Sequence, residues 1–216
     1  MVTFEDVKNN SEVNACILAG NDVLGEMGFT EHGFAHAAKC AMLAGRIIEQ
    51  FNGSPREAEL ARIAGYMHDI GNMINRTDHA HTGAILALDI LRRMGMDITE
   101  RAAVATAIGN HDEATGKVVS NISAALILAD KADVSRKRVR SRMIGEDIHD
   151  RVNYAVTESR LEVEDKKIIL KLSIDTEICS VIEYFKIFLN RMYMCQSAAH
   201  YLGSGFSLEI NDTVLM

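Results

Sequence analysis

Six of the eight histidines of this chain fall between positions 32 and 111, each on or beside an apolar helical pattern. They come in four fragments: Glu31-His32-Gly33-Phe34-Ala35-His36, His68-Asp69-Ile70-Gly71-Asn72, Asp78-His79-Ala80-His81-Thr82-Gly83-Ala84 and Asn110-His111-Asp112. A fifth, Ala129-Asp130-Lys131-Ala132-Asp133, adds two more carboxylates. Groups so far apart in sequence converge only if their helices pack together. Neutral imidazoles with carboxylates are what a divalent first-row metal takes as ligands. Asp130 closes an otherwise apolar run, where a bare carboxylate is costly unless paired or metal-bound. The chain reads as a metal site built across a helical bundle.

At 216 residues there is length for a sizeable core. No apolar run reaches the length of a membrane span, and the N-terminus lacks the basic-then-apolar order of a signal peptide. Cys16, Cys40, Cys179 and Cys195 have no CxxC spacing and sit in helix-like patterns, which suits buried thiols in a reducing compartment. The expectation is a cytoplasmic protein with no membrane association. A net charge of −7 argues against bulk, sequence-independent nucleic-acid binding. One basic stretch, Arg136, Lys137, Arg138, Arg140 and Arg142, stands out locally. It reads either as a solvated face or as an anion clamp.

Helix punctuation divides residues 1–145. A first helix is expected from near Phe4 to near Gly28. Thr30 would cap a second, with Ala37, Cys40, Ala44, Ile47, Ile48 and Phe51 at a 3.6-residue period. Ser54-Pro55-Arg56-Glu57 is a strong start, with Ser at the cap and the only proline at the first helical position. Further helices follow from Asp78 to Met94, from a Thr99 cap to near His111, and from Ser120 to Asp130. Residues 146–216 change texture. Leu161-Glu162-Val163 and Ile168 to Ile174 alternate with period 2 around a turn at Glu164-Asp165-Lys166-Lys167. A helix from about Glu177 to Leu202 would bury Ile178, Val181, Ile182, Phe185, Leu189 and Met192. Phe206, Leu208 and Ile210 alternate again. The fold class expected is mainly α, a helical bundle followed by a small α+β subdomain of β-β-α-β order. That tail is either a second subdomain or a homodimerisation layer.

The ordered set His36, His68-Asp69-Ile70-Gly71, His79 with Gly83-Ala84, His111 and Leu128-Ala129-Asp130 resembles the HD superfamily of metal-dependent phosphohydrolases over about residues 30–135. The resemblance implies that His36, His68, Asp69 and Asp130 hold one metal. It also implies that Asp69 bridges to a second held by His79 and His111, with a shared hydroxide attacking phosphorus. Such ligands suit Fe, Mn, Co, Ni or Zn. His32 and His81 are possible extra ligands. Asp69 carries catalysis in this reading, and Asp112 or Glu113 would orient a ligand histidine or accept a proton. Many members carry Lys where this chain has Asn72, so the contact to a phosphorylated metabolite or nucleotide falls to Asn72, Arg76, Lys131, Arg136 and Arg138. No Gly-Tyr-Pro follows Asn110-His111, which speaks against the cyclic-di-GMP phosphodiesterase branch. Two other functions remain: a di-iron oxygenase, and a non-catalytic metal- or nucleotide-binding sensor.

Overall fold

The computed structural model describes residues 1–140, 147–164 and 167–216. Arg142 of the basic stretch and the turn residues Asp165 and Lys166 lie outside them. The chain is mainly α with a small sheet, as its patterns require. Helices α1 (Phe4–Lys8) and α2 (Ser11–Glu26) replace the single expected N-terminal helix, because the Asn10 side chain caps a fresh start by accepting from Glu12 and Val13 N–H. Helix α3 (Phe34–Gln50) begins at a Gly33 cap, not at Thr30. Helix α4 (Pro55–Met67) starts where Ser54-Pro55 demands, with Ser54 accepting from Glu57 N–H. A 3-10 turn, Ile70–Met73, leads to α5 (His79–Arg93). Helix α6 (Ile98–Gly109) is capped by Asp97, two residues before the expected Thr99. Helix α7 (Asn121–Lys131) is capped by Ser120.

Helix α7 occupies the centre of the bundle. It packs on α3, α4 and α6, and α3 lies along α4 as α5 lies along α6. All its residues except Asn121 and Asp130 are buried. Gly71 and Gly83 let the turn after α4 press directly on α5: a Cβ on Gly71 would lie 2.0 Å from the His79 carbonyl oxygen. This close approach fixes the spacing between the His68-Asp69 fragment and His79.

The second half begins with a short helix absent from the sequence reading, α8 (Ile148–Ala155), and continues into β1 (Val156–Glu164) and β2 (Lys167–Ile174). Helix α9 (Val181–Tyr201) then crosses over to β3 (Gly205–Ile210), which pairs parallel to β2, and a two-residue β4 (Thr213–Val214) ends the sheet. The order is β1-β2-β3-β4. Helix α9 starts four residues later than expected, at a Ser180/Glu183 capping box. Its buried stripe is also rotated from the expected one. Tyr184, Phe188, Met192, Cys195 and Ala199 face inward, while Ile182 and Leu189 are exposed. The reason is that α9 packs on α7 as well as on the sheet, and so presents a different arc. One apolar cluster runs through both halves. All four cysteines are buried free thiols, and no helix among the described residues is long and apolar enough to cross a membrane.

Candidate metal centre

The donors gather at one end of the bundle because each lies at a helix terminus. His36 is in the first turn of α3, and His79 opens α5. His68 caps α4 at its C-terminus, His111 follows α6, and Asp130 is the penultimate residue of α7. Three helix C-termini, each the negative end of a dipole, therefore point at the cluster and favour cations there.

Each histidine is fixed through Nδ1. His36 Nδ1 lies 2.7 Å from Asp133 Oδ2, His68 Nδ1 2.8 Å from Gly65 O, His79 Nδ1 3.0 Å from Arg76 O and His111 Nδ1 2.6 Å from Ile108 O. These acceptors take a proton from Nδ1, so all four Nε2 atoms carry lone pairs in the neutral form. The Nε2 atoms converge in two pairs: His36 and His68 are 3.2 Å apart, and so are His79 and His111. Facing lone pairs at that distance repel unless a cation lies between them.

The carboxylates complete the two groups. Asp130 Oδ1 is 3.5 Å from His36 Nε2 and 3.7 Å from His68 Nε2. Asp69 Oδ2 faces the same pair at 3.7 and 3.4 Å. The other oxygen, Asp69 Oδ1, faces His79 and His111 Nε2 at 3.5 and 3.8 Å. Ligands about 2.0–2.2 Å from a shared ion, at angles of about 90–120°, sit about 2.8–3.8 Å from one another, so both groups have the dimensions of a first-row metal site. The chemistry of the donor set fits as well, with neutral imidazoles and ionised carboxylates.

The electrostatics agree. Burial raises the Asp69 carboxyl, but His68 beside it and hydrogen bonds from His111 and His68 hold it well below the usual range. Asp130 is likewise buried yet held low, by Lys131 first and then by His36 and His68. Burial opposes a proton on His68, but the Asp69 charge and contacts to Asp130 outweigh it and raise the imidazole to about 10. Burial, with His111 and Arg76, pushes His79 down to about 4 against the pull of Asp69.

Residues 33–136 match the protein family described as HD domain. Those residues carry an HD domain. An uncharacterized protein of Methanocaldococcus jannaschii is 27% identical over 106 residues, covering 42% of this chain and 41% of its own length. The match thus spans about two fifths of that relative. A crystal structure of a predicted HD superfamily hydrolase from an uncultured Thermotogales bacterium is 26% identical, covering 57% of this chain and 67% of that one, with a TM-score of 0.45.

A cavity of about 260 Å³ opens over the HD-domain cluster, with Asp69, His79, His111 and Asp130 in its wall. His32 lines it beside His36, ring centroids 5.4 Å apart, with Nδ1 on Thr30 O at 2.7 Å. His81 does not: it is exposed, 3.8 Å from Asp78. Arg76, Lys131 and Arg138 line the cavity. Arg136 lies outside it, stacked on Tyr154 and donating to Tyr154 O. Asn72 is buried behind the cluster, where Nδ2 donates to Asp69 Oδ1 at 2.9 Å and to Asp69 O at 3.0 Å. Asp112 accepts from Ala114 N–H in a turn and is not part of the lining.

Sequence reasoning did not reach Arg191 of α9. Its Nε donates to Glu113 Oε1 at 2.9 Å, and Glu113 Oε2 is 2.6 Å from Lys131 Nζ, which in turn lies 2.8 Å from Asp130 Oδ2. A signal existed: Arg191 is a charge set between Phe188 and Cys195 on an apolar stripe. The role of Asp133 also emerged only here, since it holds His36 while meeting Lys39 Nζ at 2.5 Å and Arg138 at 3.5 Å. Asp133→Ala leaves the His36 Nδ1 proton without its acceptor. We expect metal affinity to fall roughly 10–100-fold, read by competition with a chromophoric chelator.

Proposed function

We propose that this HD domain is a metal-dependent phosphohydrolase with a dinuclear centre. Its substrate would be a phosphomonoester or phosphodiester, either a small phosphorylated metabolite or a nucleotide. The observation that carries the reading is Asp69, whose two oxygens each face a separate pair of histidine nitrogens. When bound, two divalent ions of the Fe, Mn, Co, Ni or Zn type would supply a nucleophile at neutral pH and Lewis acidity toward a phosphoryl oxygen.

The chain's own residues would do the rest. His36, His68, Asp69 and Asp130 would hold one ion, and Asp69, His79 and His111 the other. Asn72 keeps the Asp69 carboxylate in its bridging orientation rather than meeting substrate. Arg138 is tied down through Nε to Glu31 O at 2.8 Å and through Nη1 to Asp133 O at 2.6 Å, while its buried Nη2 has no partner among the described residues. An orphaned guanidinium donor at the cavity wall suits a phosphoryl oxygen. Arg76, held 5.7 Å from the Phe29 ring, and Lys131 add positive charge on the same wall. Glu113 is kept ionised, against the effect of burial, by Lys131 and Arg191, so its part is to position those cations.

The test is elemental analysis of the purified protein alongside assays of phosphate release from phosphomonoesters and of cleavage of phosphodiesters, with Mn or Fe supplied. About two ions per chain with hydrolysis is the expected result. Stoichiometric metal with oxygen consumption and no phosphoester cleavage would replace this reading with an oxygenase.

A further inference from the structure

His79 is held at both ring nitrogens by one residue. Its Nδ1 lies 3.0 Å from the Arg76 carbonyl oxygen, and the Arg76 guanidinium returns to the other side of the ring, with Nη1 3.3 Å from Nε2. The carbonyl takes the Nδ1 proton, so at Nε2 the guanidinium donates and the imidazole accepts. Two further contacts keep Arg76 there. Nη1 reaches Asn72 Oδ1 at 3.5 Å, and the guanidinium carbon lies 5.7 Å from the Phe29 ring centroid.

A neutral imidazole offers a single lone pair at Nε2. That of His79 can serve the guanidinium or a metal ion, not both. Charge acts in the same direction, because an ion between His79 and His111 would sit beside a permanent positive charge.

The two groups of donors differ in this respect. In the first, the neighbouring cation meets Asp130 from behind: Lys131 Nζ lies 2.8 Å from Oδ2, while Oδ1 faces the imidazoles. That group offers four donors, on His36, His68, Asp69 and Asp130. The second offers three, on Asp69, His79 and His111, and the lone pair of its His79 is already engaged.

We propose that Arg76 is a built-in competitor for the second ion, so that the centre fills in order. The half held by His36, His68 and Asp130 takes its ion first. The half held by His79 and His111 fills only at higher free metal, as the guanidinium gives way. This rests on the dinuclear reading above and adds to it a gate on the second ion. Arg76 lines the cavity, so the displaced guanidinium has space to turn into without leaving the wall.

The experiment dialyses the full chain against buffered Mn(II) over a wide range of free concentration and counts the ions bound per chain, in wild type and in Arg76→Met. Two separate steps are expected in wild type. In Arg76→Met the second should move to roughly 10–100-fold lower free Mn(II), the worth of a hydrogen bond from a charged donor, while the first stays in place. One ion in wild type and two in the variant is the same result in its strongest form. A second step that stays put, or that moves to higher free metal as loss of a mere prop for His79 would cause, overturns the proposal. Equal shifts of both steps also overturn it, since general charge and not the His79 contact would then be at work. One ion or none in both proteins sinks the dinuclear reading and the inference with it, whereas two ions with unchanged steps sink the inference alone. Phe29→Ala removes the ring that steadies the guanidinium. It should move the second step the same way by less, and it carries the test if Arg76→Met does not fold.

Discussion

Asp69→Ala is expected to empty both halves of the cluster at once. One carboxylate serves two pairs of imidazoles, so no other single substitution takes a donor from both groups. Metal content should fall from about two ions per chain toward none. Hydrolysis should drop by roughly 10³-fold or more, beyond the roughly 10–100-fold expected for changes behind the ligands. The fold should persist, because Asp69 sits at the edge of the cavity and the core around α7 is apolar. Circular dichroism with elemental analysis on the same preparation checks both halves of the statement. His81→Ala is the control, since that side chain is exposed and apart from the cavity, and it should keep full metal content. Retention of two ions by Asp69→Ala would mean the bridging arrangement is wrong.

The largest loss of stability is expected from Gly71→Ala. Its Cβ would fall 2.0 Å from His79 O and 2.5 Å from Gly83 N, both backbone atoms of α5 that cannot swing aside. The turn and the helix must separate, at a cost of about 3 kcal/mol, the upper end for overpacking. In a chain of this size that lowers Tm by about 6–12 °C. The same separation would carry His79 away from Asp69, so metal stoichiometry should drop along with Tm. Gly95→Ala makes the comparison informative. Gly95 has φ +84° with open space around it, so the change costs only the left-handed backbone penalty of about 1 kcal/mol and leaves the metal ions in place. Similar melting for the two variants would show that the close approach at Gly71 is not real.

The convergence of these side chains was legible because five helices each carry a His or Asp at an inward or terminal position; any one has an ordinary explanation, and the coincidence does not. Helix limits were legible where a cap and a proline coincide, as at Ser54-Pro55, and blurred where several cap formers stand in a row, as at Asp97 and Thr99. Side chains that act on the cluster were not legible. Asn72 and Lys131 read equally well as substrate contacts, and only the fold shows Asn72 turned behind Asp69 and Lys131 tied to Glu113. Arg136 and Arg138 are two residues apart, and a 3-10 turn, Arg136–Arg138, sends one guanidinium toward Tyr154 and the other toward Asp133. Arg191 contacts Glu113 across 78 positions, a pairing that no periodicity encodes.

Helix α9 is the crossover that joins β2 to β3, and it also carries Arg191 to the cavity. One helix thus ties the sheet to the cavity: it supplies Glu113 with Arg191, one of its two counter-charges, and Glu113 in turn steadies Lys131 beside Asp130. Thermodynamically, whatever binds the cluster is linked to the folding of strands that it never touches. Ions that bind only the native chain should raise the melting of both halves together, in one transition, by mass action.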